Sequence, residues 1–241
     1  MVDIYDSVGT IRLFPFYWVP EGWLGCDGAT VSDSRFRERL AMAFGRKDGK
    51  TASVKVPKLD PPTPGLRYCI CVEGEWYDGV LSEDYLGSIK LFPATAIPTN
   101  YLTCDGRLLE GERYNFLRVL IGSTFGGEEP NVALPNLKAP LPDFVYAIAV
   151  ENARWPAPND WNPENELVGT ISLFAFTSIP QDYRPCDGSR LPVKGNEMLA
   201  SVFKDRFGGD VYNVFDTPKL EAPLPGLTYY FTTRGIYPSP P

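Results

Sequence analysis

The sequence of 241 residues contains no histidine. Histidine is the base that most often activates a serine or cysteine nucleophile, so a Ser-His-Asp triad is excluded. A zinc site also lacks ligands, because the one Cys-x-Cys pair, Cys69 and Cys71, has no second pair to complete a tetrahedron. We therefore expect a protein that is not an enzyme and that has no metal site and no cofactor.

Long apolar runs and clusters of basic residues are also missing. No segment approaches the 18 or more apolar residues of a membrane-spanning helix. The start, Met1 to Asp6, lacks the basic and apolar regions of a signal peptide, so we expect neither a transmembrane segment nor secretion by the general route. The net charge is −7 and no run of Lys and Arg occurs, which argues against a nucleic-acid partner. No glycine-rich phosphate loop precedes a helix.

Cysteine is scarce, and the five cysteines are an odd number. Three of them occupy equivalent positions of an internal repeat, while Cys69 and Cys71 alternate along one apolar segment. Equivalent positions in separate repeats cannot all pair with one another, so we interpret all five as free, buried and small apolar side chains. The 22 glycines and 24 prolines indicate many turns and no long helix.

What the sequence does contain is one unit three times. A glycine stands 17 residues before each of three Cys-Asp-Gly motifs, and a Pro-x-Leu segment begins 31, 31 and 32 residues after each cysteine. So many matches in register indicate three tandem copies, which we divide at 1–78, 79–160 and 161–241. The motif residues are Cys26, Asp27 and Gly28; Cys104, Asp105 and Gly106; and Cys186, Asp187 and Gly188.

Each copy predicts an α+β unit of short strands with a tight hairpin and one short helix. Residues 9–14 alternate as in a half-buried strand. Asp-Gly between apolar runs predicts a type I′ hairpin, because both central residues of that turn need positive φ. The return arms of the three hairpins would be Thr30-Val31, Leu108-Leu109 and Arg190-Leu191.

The helix and the last strand follow in each copy. In the first copy Ser32 or Asp33 can cap a helix that runs to Phe44, with Gly45 as its stop. The second copy predicts a helix that ends before Gly122, and the third copy one through Met198 to Phe203. The most strand-like segments close the units and are rich in aromatic and β-branched residues, at 66–72, 144–150 and 227–232.

The Cys-Asp-Gly motifs themselves invite a catalytic interpretation, but a structural one is favoured. Aspartate in a turn satisfies nearby backbone N–H groups, so Asp27, Asp105 and Asp187 are interpreted as turn formers and not as catalytic or metal-binding carboxylates. A cysteine nucleophile needs a neighbouring base, and the commonest one is absent. The motif is therefore expected to be a structural turn.

Read in chain order, these motifs resemble the phage tail collar domain, which also occurs in microcystin-dependent-protein relatives. The second copy carries the resemblance best, in its segments 103–106, 122–127 and 133–137, which read TCDG, GSTFGG and ALPNL. The resemblance implies a structural and adhesive part in a phage tail or phage-tail-like fibre, and a location in the virion tail or in an extracellular fibre of that kind. It also implies partners among other tail or fibre proteins and assembly around a threefold axis.

Three copies in one chain lead to a hypothesis about assembly. A unit of about 60 residues buries only about 60% of its surface when it folds alone, so small modules tend to lean on neighbours. We expect the three units to pack together with pseudo-threefold symmetry, mimicking a trimer, and not to sit as separate beads. The function predicted from this is that of a self-assembling structural component.

The alternative is an adhesin module that binds a cell-surface glycan. The connectors between units contain aromatic residues that could stack on sugar rings or pack between units. The candidate contacts for a glycan or a partner are Trp76, Tyr77, Trp155 and Trp161, with Tyr17 and Trp18 beside them. An enzyme that degrades a polysaccharide comes third.

Overall fold

The computed structural model describes residues 6–46, 51–74, 84–156, 166–176, 179–210 and 212–238. Within these residues every repeat has the same succession of elements, three strands, a helix and two strands. The first repeat has β1 (Ile11–Phe14), β2 (Trp23–Gly25), β3 (Thr30–Val31), α1 (Ser34–Ala43), β4 (Val54–Lys55) and β5 (Arg67–Cys71). The threefold repeat of the sequence is therefore also a repeat of secondary structure.

The other two repeats continue the numbering. The second has β6 (Ser88–Pro93), β7 (Tyr101–Thr103), β8 (Leu108–Leu109), α2 (Asn115–Ile121), β9 (Val132–Ala133) and β10 (Phe144–Ala149). The third has β11 (Ile171–Phe174), β12 (Tyr183–Pro185), β13 (Arg190–Pro192), α3 (Glu197–Phe203), β14 (Val214–Asp216) and β15 (Thr228–Thr232). The fold is mostly β with three short helices in the described chain, and the predicted closing strands are confirmed as β5, β10 and β15.

The helices follow their sequence signals. Helix α1 begins after Asp33, whose side chain accepts a hydrogen bond from the backbone N–H of Arg35 at 3.0 Å. This satisfies one of the free donors of the first turn. The helix ends at Ala43, and Gly45 follows with a φ of 81° that favours glycine.

Within each repeat the closing strand lies between the first and second strands. The strand β5 pairs antiparallel with β1 and with β2, β10 pairs with β6 and β7, and β15 pairs with β11 and β12. The register is the same each time, with a leucine opposite a tyrosine: Leu13 and Tyr68, Leu91 and Tyr146, Leu173 and Tyr229. The three repeats therefore share one local topology.

The predicted tight hairpin at Asp-Gly is wrong. The strand before each Cys-Asp-Gly pairs with the closing strand, while the strand after it forms a separate two-stranded sheet with the strand that precedes Pro-x-Leu. A type I′ turn needs positive φ at both central residues, but only the glycine has it, with φ values of 84°, 81° and 79°. Each motif is a corner between two sheets and does not join two arms of one hairpin.

The first strands of the three repeats meet one another. Strand β1 pairs with β6 and with β11, and β11 pairs with β6, all antiparallel. These pairings join the repeats into one curled sheet of nine strands. The repeats are in direct contact through hydrogen-bonded strands.

The hydrophobic cores are shared between repeats in a cyclic order. Leu40 of α1 packs in one cluster with Leu91 and Phe144 of the second repeat. Leu117 of α2 lies in a cluster with Leu173 and Leu227 of the third repeat. The cluster around Phe203 of α3 contains residues of the first repeat, Phe14, Phe16 and Leu66. Each helix therefore buries its apolar face partly against the neighbouring repeat.

Candidate functional site

The Cys-Asp-Gly corners connect three parts of each repeat through backbone hydrogen bonds. The N–H of Cys26 donates to the carbonyl of Tyr68 at 2.9 Å, and its carbonyl accepts from the N–H of Leu59 of the Pro-x-Leu segment at 2.9 Å. The same two bonds measure 2.8 and 2.8 Å at Cys104 and 2.9 and 2.9 Å at Cys186. Each corner thus ties the closing strand to the Pro-x-Leu segment.

The aspartate and glycine complete the corner. The aspartate Oδ1 accepts from the backbone N–H two residues on, at 2.8 Å from Ala29, 3.1 Å from Arg107 and 2.9 Å from Ser189. The glycine N–H donates a hydrogen bond to the backbone carbonyl of the proline in Pro-x-Leu, at 3.3, 3.2 and 3.2 Å in the three repeats. The carboxylates are used by their own turn, which is what a short polar side chain does at such a site.

The cysteine sulfurs are placed for packing. All five cysteines are free and buried, as expected. Burial raises the pKa of the Cys69 thiol to about 12, and burial also raises the pKa of Cys26, Cys104 and Cys186. Because the thiolate is the reactive form, these groups are poor nucleophiles at neutral pH.

A buried charged cluster that joins the three repeats was not predicted. Asp6, Asp84 and Glu166 are equivalent residues, each three positions before the repeated glycine, and Arg12, Lys90 and Ser172 are equivalent on the first strands. The Arg12 guanidinium contacts Asp6 at 2.9 Å and Glu166 at 3.1 Å, and donates to Ser172 Oγ at 3.0 Å. The Lys90 ammonium contacts Asp6 and Asp84, both at 2.6 Å. This central charge cluster joins all three repeats.

Burial and charge together lower the pKa of Asp6 and raise that of Glu166. Burial by itself would raise the pKa of Asp6, but the charges of Arg12 and Lys90 outweigh it and lower that pKa from 3.8 to about 2. Burial raises the pKa of Glu166, because Arg12, which it shares with Asp6, compensates only in part. At Lys90, as at Asp6, charge outweighs burial. Burial alone would lower the pKa of Lys90, but the attraction of Asp6 and Asp84 raises it well above its ordinary value.

A cavity of about 80 Å³ adjoins this cluster at the place where the three first strands meet. Most of its lining residues come in equivalent sets of three, among them three isoleucines, three leucines and three tyrosines. These are Ile11, Ile89 and Ile171; Leu13, Leu91 and Leu173; and Tyr68, Tyr146 and Tyr229. The central cavity is therefore built by all three repeats.

The predicted contact aromatics are only partly within the described residues. Trp76, Tyr77 and Trp161 lie outside them. Trp155 is 40% exposed, and its ring centroid lies 6.4 Å from that of Phe116, which is 72% exposed. Tyr17 instead packs under the Arg206 guanidinium, 3.6 Å from the ring centroid, and Trp18 lies 6.5 Å from Tyr237. Tyr17 and Trp18 thus pack between the first and third repeats.

Sequence reasoning missed the central charge cluster, although a signal was present. An acidic residue stands three positions before the repeated glycine in every copy, and a cation three positions after it in two copies.

Among the described residues no group of histidine, cysteine, aspartate and glutamate could hold a metal ion. Within the same residues none of the helices has the length and apolarity to cross a membrane.

Comparison with known proteins gives one finding. The sequence profile of the Phage Tail Collar Domain matches the chain three times, at residues 9–61, 87–142 and 169–225. The matches cover more than half of the chain and coincide with the three repeats, so the chain belongs to the phage tail collar domain family. That family is a structural one of phage tail fibres. No match was found among curated proteins or among solved structures.

The corner geometry predicts a difference between two nearby glycines of the first repeat. Gly28 has a φ of +84°, and an added Cβ would lie 3.4 Å from Lys58 Cβ, so Gly28→Ala is expected to cost about 1–2 kcal/mol through backbone strain. Gly25 has no such φ, and its equivalents are Thr103 and Pro185, so Gly25→Ala is the matched control and should be neutral or slightly stabilising. Denaturant midpoints of both variants check this. Equal losses in the two would contradict it.

The charge cluster predicts how stability responds to acid. The lowered pKa of Asp6 means that its contribution is present above its ordinary value of 3.8 and is lost as the pH falls to about 2. At neutral pH Asp6→Asn should cost about 3–5 kcal/mol, because it leaves Arg12 and Lys90 short of a partner. The gap in unfolding free energy between wild type and Asp6→Asn should then shrink by roughly 2 kcal/mol between pH 4 and pH 2.

Glu166→Gln serves as the comparison variant, since its pKa is raised. The charged form of Glu166 opposes folding, so wild type should gain stability relative to Glu166→Gln as the pH falls through the raised pKa. Denaturation curves from pH 2 to pH 7 give both differences. The interpretation fails if the two variants follow the same pH dependence relative to wild type.

Proposed function

We propose that this protein is a structural component of a phage tail or phage-tail-like fibre, in which one chain supplies three collar units that mimic a trimer. Membership of a structural family of tail fibres supports the general role. The observation that carries the finer proposal is that β1, β6 and β11 pair with one another. The working units are those expected from the sequence, 1–78, 79–160 and 161–241.

The mutual pairing constrains how the three strands are directed. Three strands cannot all be antiparallel along one common line, because two strands that oppose each other cannot both oppose a third. Strands that pair antiparallel in all three combinations must be inclined to one another, as they would be around a threefold axis. The pairing therefore favours a pseudo-threefold arrangement over a row of units.

Contacts outside the sheet follow the same cyclic order. A Cβ added at Gly9 would lie 3.0 Å from Pro93 of the second repeat, one at Gly87 would lie 3.1 Å from Phe176 of the third, and one at Gly169 would lie 3.3 Å from Pro15 of the first. The three glycines are equivalent, so the same close contact between a glycine and the neighbouring repeat occurs three times. The shared cores run in the same direction, from first to second, second to third and third to first.

The proposed role is mechanical. A closed ring of three repeats leaves no first strand unpaired at its centre, and the central charge cluster joins the repeats internally. Partners are other tail or fibre proteins, and the location is the virion tail or an extracellular tail-like fibre. We propose no catalytic role, and we interpret the Cys-Asp-Gly corners as structural turns.

The stoichiometry of purified tail particles tests this proposal. If one chain fills a threefold position, light scattering should give the isolated protein a mass of one chain, 26.8 kDa. Quantitative mass spectrometry of purified tails should give one chain of this protein per threefold position, where a collar protein with a single unit would give three chains. Antibody-gold labelling should mark the tail. Absence of the protein from purified tails would overturn the role. A stable trimer of chains would overturn the single-chain arrangement.

A second candidate function is the binding of a cell-surface glycan by the second repeat. It is favoured by the exposed pair Phe116 and Trp155. Arg113 and Glu151, which form an ion pair at 3.0 Å, stand three and four residues before these two aromatics in the sequence. An apolar ring beside charged hydrogen-bonding groups suits a sugar, which has apolar C–H faces and hydroxyl edges. Counted back from the residue of positive φ that follows each helix, the equivalents of Phe116 are Arg39 and Met198, so this platform would exist once per chain.

Glycan binding should depend on this pair. Trp155→Ala and Phe116→Ala are each expected to reduce binding on a glycan array by tenfold or more, as stacking surface is lost. Tyr212→Ala, which removes an aromatic ring that is 84% exposed in the third repeat, is the matched control and should bind like wild type. No binding by wild type, or equal loss in the control, would remove this candidate.

A further inference from the structure

The central cavity is not symmetric. Its lining residues outside the repeated sets all come from the second and third repeats, and they are Tyr85, Ser88, Arg154, Phe174 and Tyr183. On this side Ser172 stands where the first two repeats have Arg12 and Lys90. The short serine side chain leaves free the space that the long side chains of Arg12 and Lys90 occupy in the other two repeats. The first strand of the third repeat therefore contributes no cation to the cavity.

A buried hydroxyl faces this part of the cavity without a partner. The Tyr101 hydroxyl of the second repeat donates to Asp84 Oδ2 at 2.5 Å. Its equivalent in the third repeat, Tyr183, is only 5% exposed, lines the cavity and makes no hydrogen bond within the described chain. Glu166, the equivalent of Asp84, contacts Arg12 instead. A buried hydroxyl without a partner costs free energy, so it marks a place for a ligand atom.

The remaining walls suit a cation. The rings of Tyr85, Phe174 and Tyr183 lie against one another, with centroids 5.4 to 6.1 Å apart. Aromatic faces attract cations. Glu166 shares Arg12 with Asp6, and its Oε2 has no hydrogen-bond partner among the described residues. Its raised pKa agrees with a carboxylate that lacks sufficient positive charge nearby.

We propose that the Ser172 side of the central cavity binds the ammonium group of a primary amine, in the place that Arg12 and Lys90 side chains take in the other repeats. Glu166 supplies the opposite charge, and the hydroxyl oxygens of Tyr183 and Ser172 accept hydrogen bonds from the ammonium. A volume of about 80 Å³ limits the ligand to a short alkylammonium or the end of a lysine side chain. Asp6, Asp84, Arg12, Lys90 and Arg154 also line the cavity.

Calorimetric titration of the full chain with n-propylammonium chloride at constant ionic strength tests the site. Saturable binding is expected at neutral pH, with 1-propanol, the neutral analogue, binding at least tenfold more weakly. Tyr183→Phe, which removes one hydroxyl, should weaken the amine about tenfold. Ser172→Lys should abolish binding, because its own ammonium fills the place. Ser123→Lys, at an exposed serine, is the control and should bind like wild type.

Several outcomes would overturn the site. They are the absence of saturable binding, equal affinity for 1-propanol, and unchanged affinity in both Tyr183→Phe and Ser172→Lys. Circular dichroism shows whether Ser172→Lys is folded, and the smaller change in Tyr183→Phe keeps the test decisive if it is not. None of these results bears on the tail role, which does not use the cavity.

A second arm identifies the source of the amine. The peptide acetyl-Gly-Lys-Gly-amide is titrated beside acetyl-Gly-Gln-Gly-amide. Binding of the lysyl peptide alone, lost in Ser172→Lys, supports a lysine side chain of a partner protein. Binding of propylammonium without the lysyl peptide supports a free small amine. If neither binds, the proposal is wrong.

Discussion

The structure depends on one constraint: each repeat buries its helix partly against a neighbour. Leu40, Leu117 and Phe203 all pack in clusters that include residues of another repeat. A unit of this size buries too little surface alone, so burial across repeats supplies the rest. This explains why the first strands pair with one another and why large aromatic side chains such as Phe14 and Phe174 are almost fully buried.

Electrostatics adds specificity to this arrangement. Two cations and three carboxylates at equivalent positions form one buried cluster in which Asp6 pairs with cations of two repeats and Arg12 with carboxylates of two. Separating the partners of a buried ion pair is strongly destabilising, so arrangements that leave Asp6, Arg12 or Lys90 unpaired are disfavoured. Because the third repeat has Ser172 and Glu166 where the second has Lys90 and Asp84, the three interfaces are not interchangeable. A trimer of identical chains could not differ in this way.

Much of the fold could be predicted from the sequence because its signals are local. The aromatic and β-branched composition of the closing strands, the cap at Asp33 and the glycine after Phe44 each depend on a few neighbouring residues. The hairpin prediction failed because Asp-Gly is compatible with two outcomes, and the choice depends on whether the preceding strand finds a better partner. That partner, β5, lies some forty residues further along the chain.

The candidate site was less predictable for the same reason. The pairing of Asp6 with Lys90 and of Arg12 with Glu166 crosses repeat boundaries, so no local pattern specifies it. The acidic residue before each glycine was a usable signal, but it indicated only equivalence. Of the predicted contact aromatics, Trp155 lies on the surface beside Phe116, while Tyr17 and Trp18 pack between repeats.

The pairing of Leu13 with Ile171 has a consequence for synthesis of the chain. Chains fold from the N-terminus as they emerge, and contacts between distant segments form late. The partner of β1 in the third repeat, and the helix that covers Phe14 and Phe16, are made more than 150 residues after β1. Until then the edge of β1 lacks its partner in the third repeat, and Phe14 and Phe16 are not yet covered by α3. The growing chain is therefore most prone to aggregation just before its third repeat leaves the ribosome.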